Sequence, residues 1–176
     1  MREHLHRSFV IVLGIVIAIT LFTGVAFAEN YLGSGYFHTN QMYWCHFGSY
    51  PTENQNAAAT WSYTTDLDIY SNCDNRNAST AAYDYGNTGW YGYAYICNVG
   101  GGCQNADLEY LYCIAESNTY YLSSWNSTER QFNATHELGH CWSLGHRVDS
   151  TSVMQGGRYS ITSPNATDIQ LVNNRY

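Results

Sequence analysis

Six cysteines place the strongest constraint on how this chain can fold, because pairing them brings separate parts of the chain together. All six lie between Cys45 and Cys141. An even number of cysteines in an oxidising compartment is typical of a disulfide framework, here of up to three bridges with fifteen possible connectivities. No Cys-x-x-Cys pair is present, which argues against a metal site made of cysteines. We expect structural bridges, with Cys97–Cys103 the most favoured, because a glycine-rich loop separates the two.

The first 28 residues have the pattern of a secretory signal. Two arginines precede a long apolar run, and that run ends in Ala26-Phe27-Ala28, the small-residue pattern at which signal peptides are cleaved. We therefore expect cleavage before Glu29 and a secreted, extracellular protein of residues 29–176. The apolar run is longer than the ~7–15 residues usual in a signal, so an N-terminal membrane anchor is the alternative. The remaining length suits one domain.

Composition excludes two classes of protein. The chain has 7 basic residues against 14 acidic ones, a net charge of −7, and its basic residues are all arginines that do not cluster. Binding to a phosphate backbone requires clustered positive charge, so we exclude nucleic-acid binding. With 45% hydrophobic and 12% charged residues, the chain is too apolar for intrinsic disorder. We expect an acidic, folded monomer that contacts no membrane once the signal is removed.

Local patterns predict a fold of the α+β class, with helices packed on a sheet. Thr52 with Gln55, and Asn126 with Glu129, fit capping boxes that begin helices. Alternating or aromatic runs predict strands, and runs rich in Asn, Ser, Asp and Gly predict loops. The predicted elements are a helix from Pro51 to Trp61 or Tyr63, a strand over Thr65–Tyr70, a loop over Asn72–Thr88, strands over Trp90–Ile96 and Leu108–Ala115, a helix from Asn126 into His136, and a last helical turn within Asp168–Val172.

The segment from His136 to His146 contains the residues that point to chemistry. His136 and His140 are four residues apart, so on a helix they lie one above the other, and both imidazoles can reach one metal ion at ~2.0–2.1 Å. His146 follows beyond the helix end, where a turn can make it the third ligand. Three neutral histidines that leave a fourth position to water are typical of a catalytic zinc site. Glu137 is placed to take a proton from that water, which predicts hydrolysis of a peptide bond.

These residues resemble the signature of the metzincin metallopeptidases, His-Glu-x-x-His-x-x-Gly-x-x-His followed by a Met-turn. Met154 lies eight residues after His146, and the spacing of His146, Asp149 and Met154 is most similar to the matrixin branch. The resemblance is specific from Phe132 to Met154 and loose over the rest of residues 31–176. It implies a zincin-like domain: a mixed twisted sheet with an antiparallel edge strand over a cleft, about three helices, and the Met-turn under one catalytic Zn²⁺. It also implies that protein or peptide substrates are the partners.

The sequence departs from that signature at Ser143, which stands where the family has glycine. If the turn requires a positive φ there, a serine costs roughly 1–2 kcal/mol in the backbone, and otherwise Gly145 takes over the turn. We expect Ser143→Gly to leave the protein active, since the serine carries only that backbone cost. Relatives of the family also bind Ca²⁺, for which Asp66, Asp68, Asp84 and Asp107 are the candidates; no Asp-x-Asp-x-Asp-Gly loop supports such a site.

Two alternatives to a peptidase fit the same sequence. One is an exported, disulfide-stapled protein that binds zinc without hydrolytic activity, with the site spoiled by the change at Ser143. The other is a carbohydrate-binding protein, in which tyrosines on the strands form an exposed aromatic face; the candidates are Tyr83, Tyr85, Tyr91, Tyr93 and Tyr95. Strands favour aromatic residues for packing alone, so the tyrosines are weak evidence. The presence of Glu137 favours the enzyme, because a metal site without catalysis needs no base.

Overall fold

The computed structural model of this protein describes residues 30–176. Its central feature is a five-stranded mixed sheet. The predicted signal over residues 1–28 lies outside the described residues. Four helices accompany the sheet in the described part of the chain. The strands are β1 (Gln41–Gly48), β2 (Asp68–Ser71), β3 (Ala78–Tyr83), β4 (Gly92–Asn98) and β5 (Tyr110–Asn118), and the helices are α1 (Pro51–Thr64), α2 (Thr119–Leu122), α3 (Ser127–Cys141) and α4 (Ala166–Asn173).

The strand order is β2-β1-β3-β5-β4, and only β4 runs antiparallel to its neighbour. β4 is therefore an edge strand that pairs with β5 on one side. On its other side, among residues 30–176, it forms only an isolated bridge between Cys97 and Cys103 at its end. The expected mixed sheet with an antiparallel edge strand is confirmed. Helix α2 is a single turn, so three of the four helices in the described part of the chain are longer than one turn.

Helix α3 lies against the sheet and against α1, with the hydrophobic core between them. Trp61 of α1 is fully buried, and its indole Nε1 donates a hydrogen bond of 2.9 Å to the carbonyl of Thr135 in α3. Phe132, Leu138 and Trp142 are also buried, and each fully buried large side chain contributes ~1.5–3 kcal/mol. This packing fixes α3, which carries His136 and His140, against the hydrophobic core.

The two predicted capping boxes have different outcomes. At the start of α3, the side chain of Asn126 accepts from the N–H of Glu129 at 3.0 Å, and the carboxylate of Glu129 accepts from the N–H of Asn126 at 2.9 Å, as predicted. The capping box at Thr52 is wrong. Tyr50 is the N-cap of α1 in a left-handed conformation, with no side-chain cap, and Pro51 begins the helix. Proline is favoured at this first position because its φ is already helical.

The predicted loop over residues 72–88 is also wrong, because it contains β3 at the centre of the sheet. The first five residues of β3 are buried on both faces, so the polar-apolar alternation of a half-buried strand is lost. Their small side chains, mostly Ala and Ser, also have little intrinsic preference for strands. Strand β1 was not predicted, and β2 begins at Asp68 rather than at Thr65.

Three disulfides join separate parts of the chain. Cys45–Cys73 links β1 to the segment after β2, Cys97–Cys103 closes the glycine-rich loop after β4, and Cys113–Cys141 links β5 to the last residue of α3. All six cysteines are paired. Three bridges in a chain of this size are typical of proteins from oxidising compartments, which suggests an extracellular protein. Among residues 30–176, no helix is long and apolar enough to cross a membrane.

Candidate metal centre

Three histidines converge at the end of α3. The Nε2 atoms of His136, His140 and His146 form a triangle with sides of 3.1, 3.2 and 3.1 Å. His136 and His140 are buried, whereas His146 is exposed. Among the residues that the structure describes, this is the only group of three or more histidine, cysteine or acidic side chains close enough to hold one metal ion.

The other ring nitrogens of the two helical histidines are held by carbonyl oxygens. Nδ1 of His136 lies 2.9 Å from the carbonyl of Val153, and Nδ1 of His140 lies 2.7 Å from the carbonyl of Leu144. A carbonyl only accepts hydrogen bonds, so each Nδ1 donates and each Nε2 presents a lone pair to the centre of the triangle. The lone pairs of these two Nε2 atoms cannot form a hydrogen bond with each other, because neither nitrogen carries a proton. A cation such as Zn²⁺ can instead be bound by all three Nε2 atoms of the triangle.

Burial keeps the two helical histidines neutral. It lowers the pKa of His136 to about 4 and the pKa of His140 well below its ordinary value. The neutral imidazole is the form that binds a metal ion, so both side chains are ready to act as ligands at neutral pH.

Met154 lies under α3 and is fully buried. It packs against Gly139, between the two helical histidines, so closely that a methyl group at Gly139 would overlap with the sulfur of Met154. The absence of a side chain at Gly139 thus permits the close approach of Met154 to the helix. The backbone next to Met154 also supports the histidines, because Val153 supplies the carbonyl that accepts from His136.

Asp168, which the sequence analysis did not identify as part of the site, fixes this turn. Its carboxylate is fully buried and accepts hydrogen bonds from the hydroxyl of Ser152 at 2.7 Å, from the N–H of Val153 at 3.1 Å and from the guanidinium of Arg147 at 2.8 Å. It also closes a capping box with Asn165 at the start of α4. That Asn-x-x-Asp pattern was the available signal for α4, but nothing in it indicates a link to His136.

Ser143 begins the turn between α3 and His146. Its φ is +74°, so the turn does require the left-handed conformation here, and Gly145 does not replace it. The expectation that the serine carries only a backbone cost is wrong. Its buried hydroxyl donates to the carbonyl of Gly35 at 2.8 Å and accepts a hydrogen bond from the guanidinium of Arg175.

Glu137 lies beside the triangle and is 5% exposed. Its carboxylate rests against Gly92 at the start of β4, where a Cβ atom would overlap with Oε1, so the absence of a side chain at Gly92 makes room for the carboxylate. Burial, with a smaller contribution from the charge of Glu116, raises the pKa of Glu137 to about 8. A carboxyl with a pKa near neutrality can both accept and return a proton during a reaction.

Two cavities meet at Glu137 and His146. One, of about 290 Å³, extends along β4 and is walled by apolar side chains that include Leu32, Ala94 and Ile96. The other, of about 150 Å³, lies between Phe132 and the Gly156-Gly157 segment. The triangle of histidines is therefore accessible from both directions, as a site for an extended chain requires.

The candidate calcium ligands are not brought together. Asp84 accepts from the N–H of Gly86 within a local turn, whereas Asp107 accepts from the N–H of Ser34, 73 residues away along the chain. Neither Asp66 nor Asp68 belongs to a cluster of metal-binding side chains in the part of the chain that the structure describes.

The five tyrosines proposed as a sugar-binding face fall into separate groups. Tyr83 contacts Tyr85, which reaches Tyr93 through the ring of Trp90. Tyr91 instead packs against Tyr121 and Trp125. Tyr83, Tyr85 and Tyr93 are thus connected through Trp90, whereas Tyr91 lies outside that group, so the five tyrosines do not all belong to one row.

Comparisons with known proteins support the fold. No model of a known family matches the chain, and no curated protein matches it. Solved structures do. The GM1-bound form of the ECX AB5 holotoxin is similar with a TM-score of 0.59 at 10% identity, over 83% of this chain and 87% of that chain. Two structures of myroilysin match with TM-scores of 0.54, at 12% and 13% identity, over 81% and 82% of this chain and 82% and 86% of theirs. At these identities the likeness shows the fold alone.

Proposed function

We propose that this protein is a secreted, zinc-dependent endopeptidase. The observation that carries the proposal is the triangle of histidine Nε2 atoms beside the buried carboxylate of Glu137, at the junction of two cavities. His136, His140 and His146 are the proposed zinc ligands, and Glu137 is the proposed catalytic residue. Secretion follows from the signal pattern and is supported by the three disulfides.

Each residue of the site has a distinct role in this reaction. His136, His140 and His146 would hold the zinc ion, which when bound would supply a more acidic water and polarise the carbonyl of the scissile bond. Glu137 orients the attacking water, accepts its proton and delivers that proton to the leaving amine nitrogen. The outer edge of β4 over residues 92–95, before the bridge between Cys97 and Cys103, offers backbone N–H and C=O groups to an extended peptide, which can bind as an added strand. The partners are therefore protein or peptide substrates, and we propose that the protein acts as a monomer.

The likeness to the two myroilysin structures concerns the fold, and that fold is consistent with the zincin-like domain that this proposal requires. The spacing of His146, Asp149 and Met154 supports assignment to the matrixin-like branch of the metzincins. Met154 is buried against Gly139, next to the helical histidines, which supports the proposal that it forms a Met-turn like that of the family. A role for Ca²⁺ has no support from the positions of the aspartates.

The test replaces Glu137 with Gln, which keeps the shape of the side chain but removes the base. We expect zinc to remain bound while cleavage of a peptide library falls by ~10²–10⁴-fold, the usual contribution of general acid–base catalysis. The measurements are zinc content and cleavage on the same preparations of residues 29–176, with and without a chelator. Glu129→Gln, eight residues earlier on the same helix, is the matched control and should keep full activity.

The outcomes separate the proposed enzyme from its alternatives. Parent-level cleavage by Glu137→Gln would show that the hydrolytic mechanism is wrong. A parent protein that binds zinc but cleaves no peptide would instead be a zinc-binding protein without hydrolytic activity. Loss of zinc together with activity in Glu137→Gln would assign Glu137 a structural role.

A further inference from the structure

The turn that follows α3 is held from outside by the N-terminal segment, residues 30–35. The N–H of Leu32 donates to the carbonyl of Ser143, and the N–H of Gly145 donates to the carbonyl of Asn30, each at 3.0 Å. These two bonds pair the segment with the turn as a short antiparallel bridge between Tyr31 and Leu144. The carbonyl of Leu144, the residue between those two bonds, is the group that accepts from His140.

Arg175, just beyond the end of α4, holds the same segment from the other side. Its guanidinium donates to the carbonyl of Gly35 at 2.7 Å, to the carbonyl of Gly33 at 2.6 Å and to the hydroxyl of Ser143. It also lies over the ring of Tyr31, 3.7 Å from the ring centroid. A planar guanidinium can donate to several acceptors at once and lie over an aromatic ring, whereas a lysine has only one ammonium group.

The Ser143 hydroxyl connects the two sides of this arrangement. It donates to the carbonyl of Gly35 and accepts from Arg175, so one buried group joins the N-terminal segment, the C-terminal arginine and the turn. A glycine here would avoid the cost of the positive φ, roughly 1–2 kcal/mol, but would offer no hydroxyl. The serine is thus present despite a backbone cost, and it contributes bonds to groups that a glycine would leave without that partner.

We propose that Ser143 and Arg175 are positioning residues of the metal site. By seating residues 30–35 on the turn, they fix the Leu144 carbonyl that orients His140, and they fix the path of the chain to His146. The packing of residues 30–35 on this turn and the affinity of the site for a metal ion are therefore coupled. The inference rests on the metal site of the proposed function and does not require that the protein cleaves peptides.

Zinc affinity of the whole chain without its signal is the first test, measured by competition with a chromogenic chelator. Removal of a group that supports a metal ligand typically weakens metal affinity by ~10–100-fold. We expect a loss in that range for Ser143→Gly and for Arg175→Gln, and a larger one for Ser143→Ala, which loses the hydroxyl and keeps the backbone cost. Ser124→Ala, which removes an exposed hydroxyl bonded to a helical carbonyl, is the matched control and should bind zinc as the parent does.

Hydrogen exchange is the second test, and its first measurement uses the unmodified protein with and without zinc. Because coupling between two events is reciprocal, zinc should slow exchange of the Leu32 and Gly145 amides, and Ser143→Gly should reduce that effect of zinc. A residue that only stabilises the fold would change exchange equally with and without zinc.

The results distinguish failure of the positioning role of Ser143 and Arg175 from failure of the proposed peptidase function. Parent zinc affinity in both Ser143→Gly and Arg175→Gln, with exchange at Leu32 unaffected by zinc, would overturn this inference and leave the peptidase proposal intact. A parent protein that binds no zinc would overturn both. Loss of affinity in these variants supports the inference whether or not peptide is cleaved.

Discussion

The two helical histidines are supported from opposite directions, and the two supports differ in kind. His136 is held by Val153 in the turn that contains Met154, which Asp168 fixes in turn. His140 is held by Leu144 in the turn after Ser143, which the N-terminal segment and Arg175 fix. The first support lies within the region that resembles the metzincin signature. The second lies where the sequence departs from it, so a departure in a motif can mark a replacement support rather than a defect.

The two supports also differ in how they balance charge. Asp168 is a fully buried carboxylate that pairs with Arg147 at 2.8 Å. Arg175 donates to carbonyls and a hydroxyl and lies over an aromatic ring. A buried charge that loses its partner is far more costly than a lost hydrogen bond between neutral groups. The support of His136 should therefore be the harder of the two to break without loss of the fold.

Removal of Asp168 should have the largest effect. In Asp168→Ala, Arg147 loses its buried partner, and the N–H of Val153 and the hydroxyl of Ser152 lose their acceptor. We expect the free energy of unfolding to fall by about 3–5 kcal/mol. Chemical denaturation of the zinc-free protein measures the change. Asp149→Ala is the control, because Asp149 also faces Arg147 but at 3.6 Å and in contact with solvent, so its removal should matter much less. Equal effects of the two changes would show that the Asp168 network does not anchor the turn.

The helix that carries His136 and His140 could be predicted from the sequence, whereas little of either support could. The capping box at Asn126 and the spacing of His136, His140 and His146 are local patterns, and local patterns specify a helix and the face it presents. The partners of the Ser143 hydroxyl, Gly35 and Arg175, lie 108 and 32 residues away along the chain. No local pattern encodes such contacts, because they depend on how both ends of the chain pack.

The same distinction explains the results for the sheet. Strands β4 and β5 were predicted because aromatic and β-branched residues favour strands even without knowledge of their neighbours. Strand β3 was missed because its small residues acquire their strand conformation from burial between β1 and β5. The position of Glu137 against β4 likewise requires the assembled sheet, since Gly92 is 45 residues away and carries no side chain that signals a role.

A change at Gly92 should reduce catalysis without affecting the support of either helical histidine. In Gly92→Ala, the added methyl group overlaps with the Glu137 carboxylate and displaces it, while the three histidines keep their partners. We expect cleavage to fall by about 10²-fold, because a displacement of about 1 Å at a catalytic group can have that effect, and zinc affinity to stay unchanged. Gly156→Ala, which also lies at the cleft but adds its methyl group into open space, is the control.

A second change sharpens this test. Glu137→Asp in the Gly92→Ala background shortens the carboxylate and relieves the overlap, so the double variant should lose less activity than the two single changes predict together. Additive losses would contradict direct contact between Gly92 and Glu137. Loss of zinc in Gly92→Ala would place Gly92 with the supports of the histidines.

The smallest predicted effect is the pH dependence of stability in the zinc-free protein, where the buried base and the buried histidines act in opposite directions. The pKa of Glu137 is raised to about 8 by burial, from an ordinary value of 4.5, and the pKa of His136 is lowered to about 4 by burial, from 6.5. Between pH 6.5 and 8, the unfolded state has released the Glu137 proton and the folded state retains it. The histidines are neutral in both states. The free energy of unfolding should therefore fall by about 1 kcal/mol per pH unit as the pH rises through this window.

Below pH 6.5 the sign reverses, because His136 and His140 take up protons in the unfolded state and remain neutral in the folded state. Together they outweigh the single proton of Glu137, so stability should decrease again towards pH 4.5 and be greatest near pH 6.5. Denaturation with a chelator present, from pH 5 to 9, measures the curve. Glu137→Gln should abolish the decline between pH 6.5 and 8 and steepen the slope below pH 6.5. The contrary result is an equal pH dependence of the free energy of unfolding above pH 6.5 in the parent and in Glu137→Gln. That result would show that the Glu137 carboxyl is ionised in the folded protein, and that its burial against Gly92 does not raise its pKa.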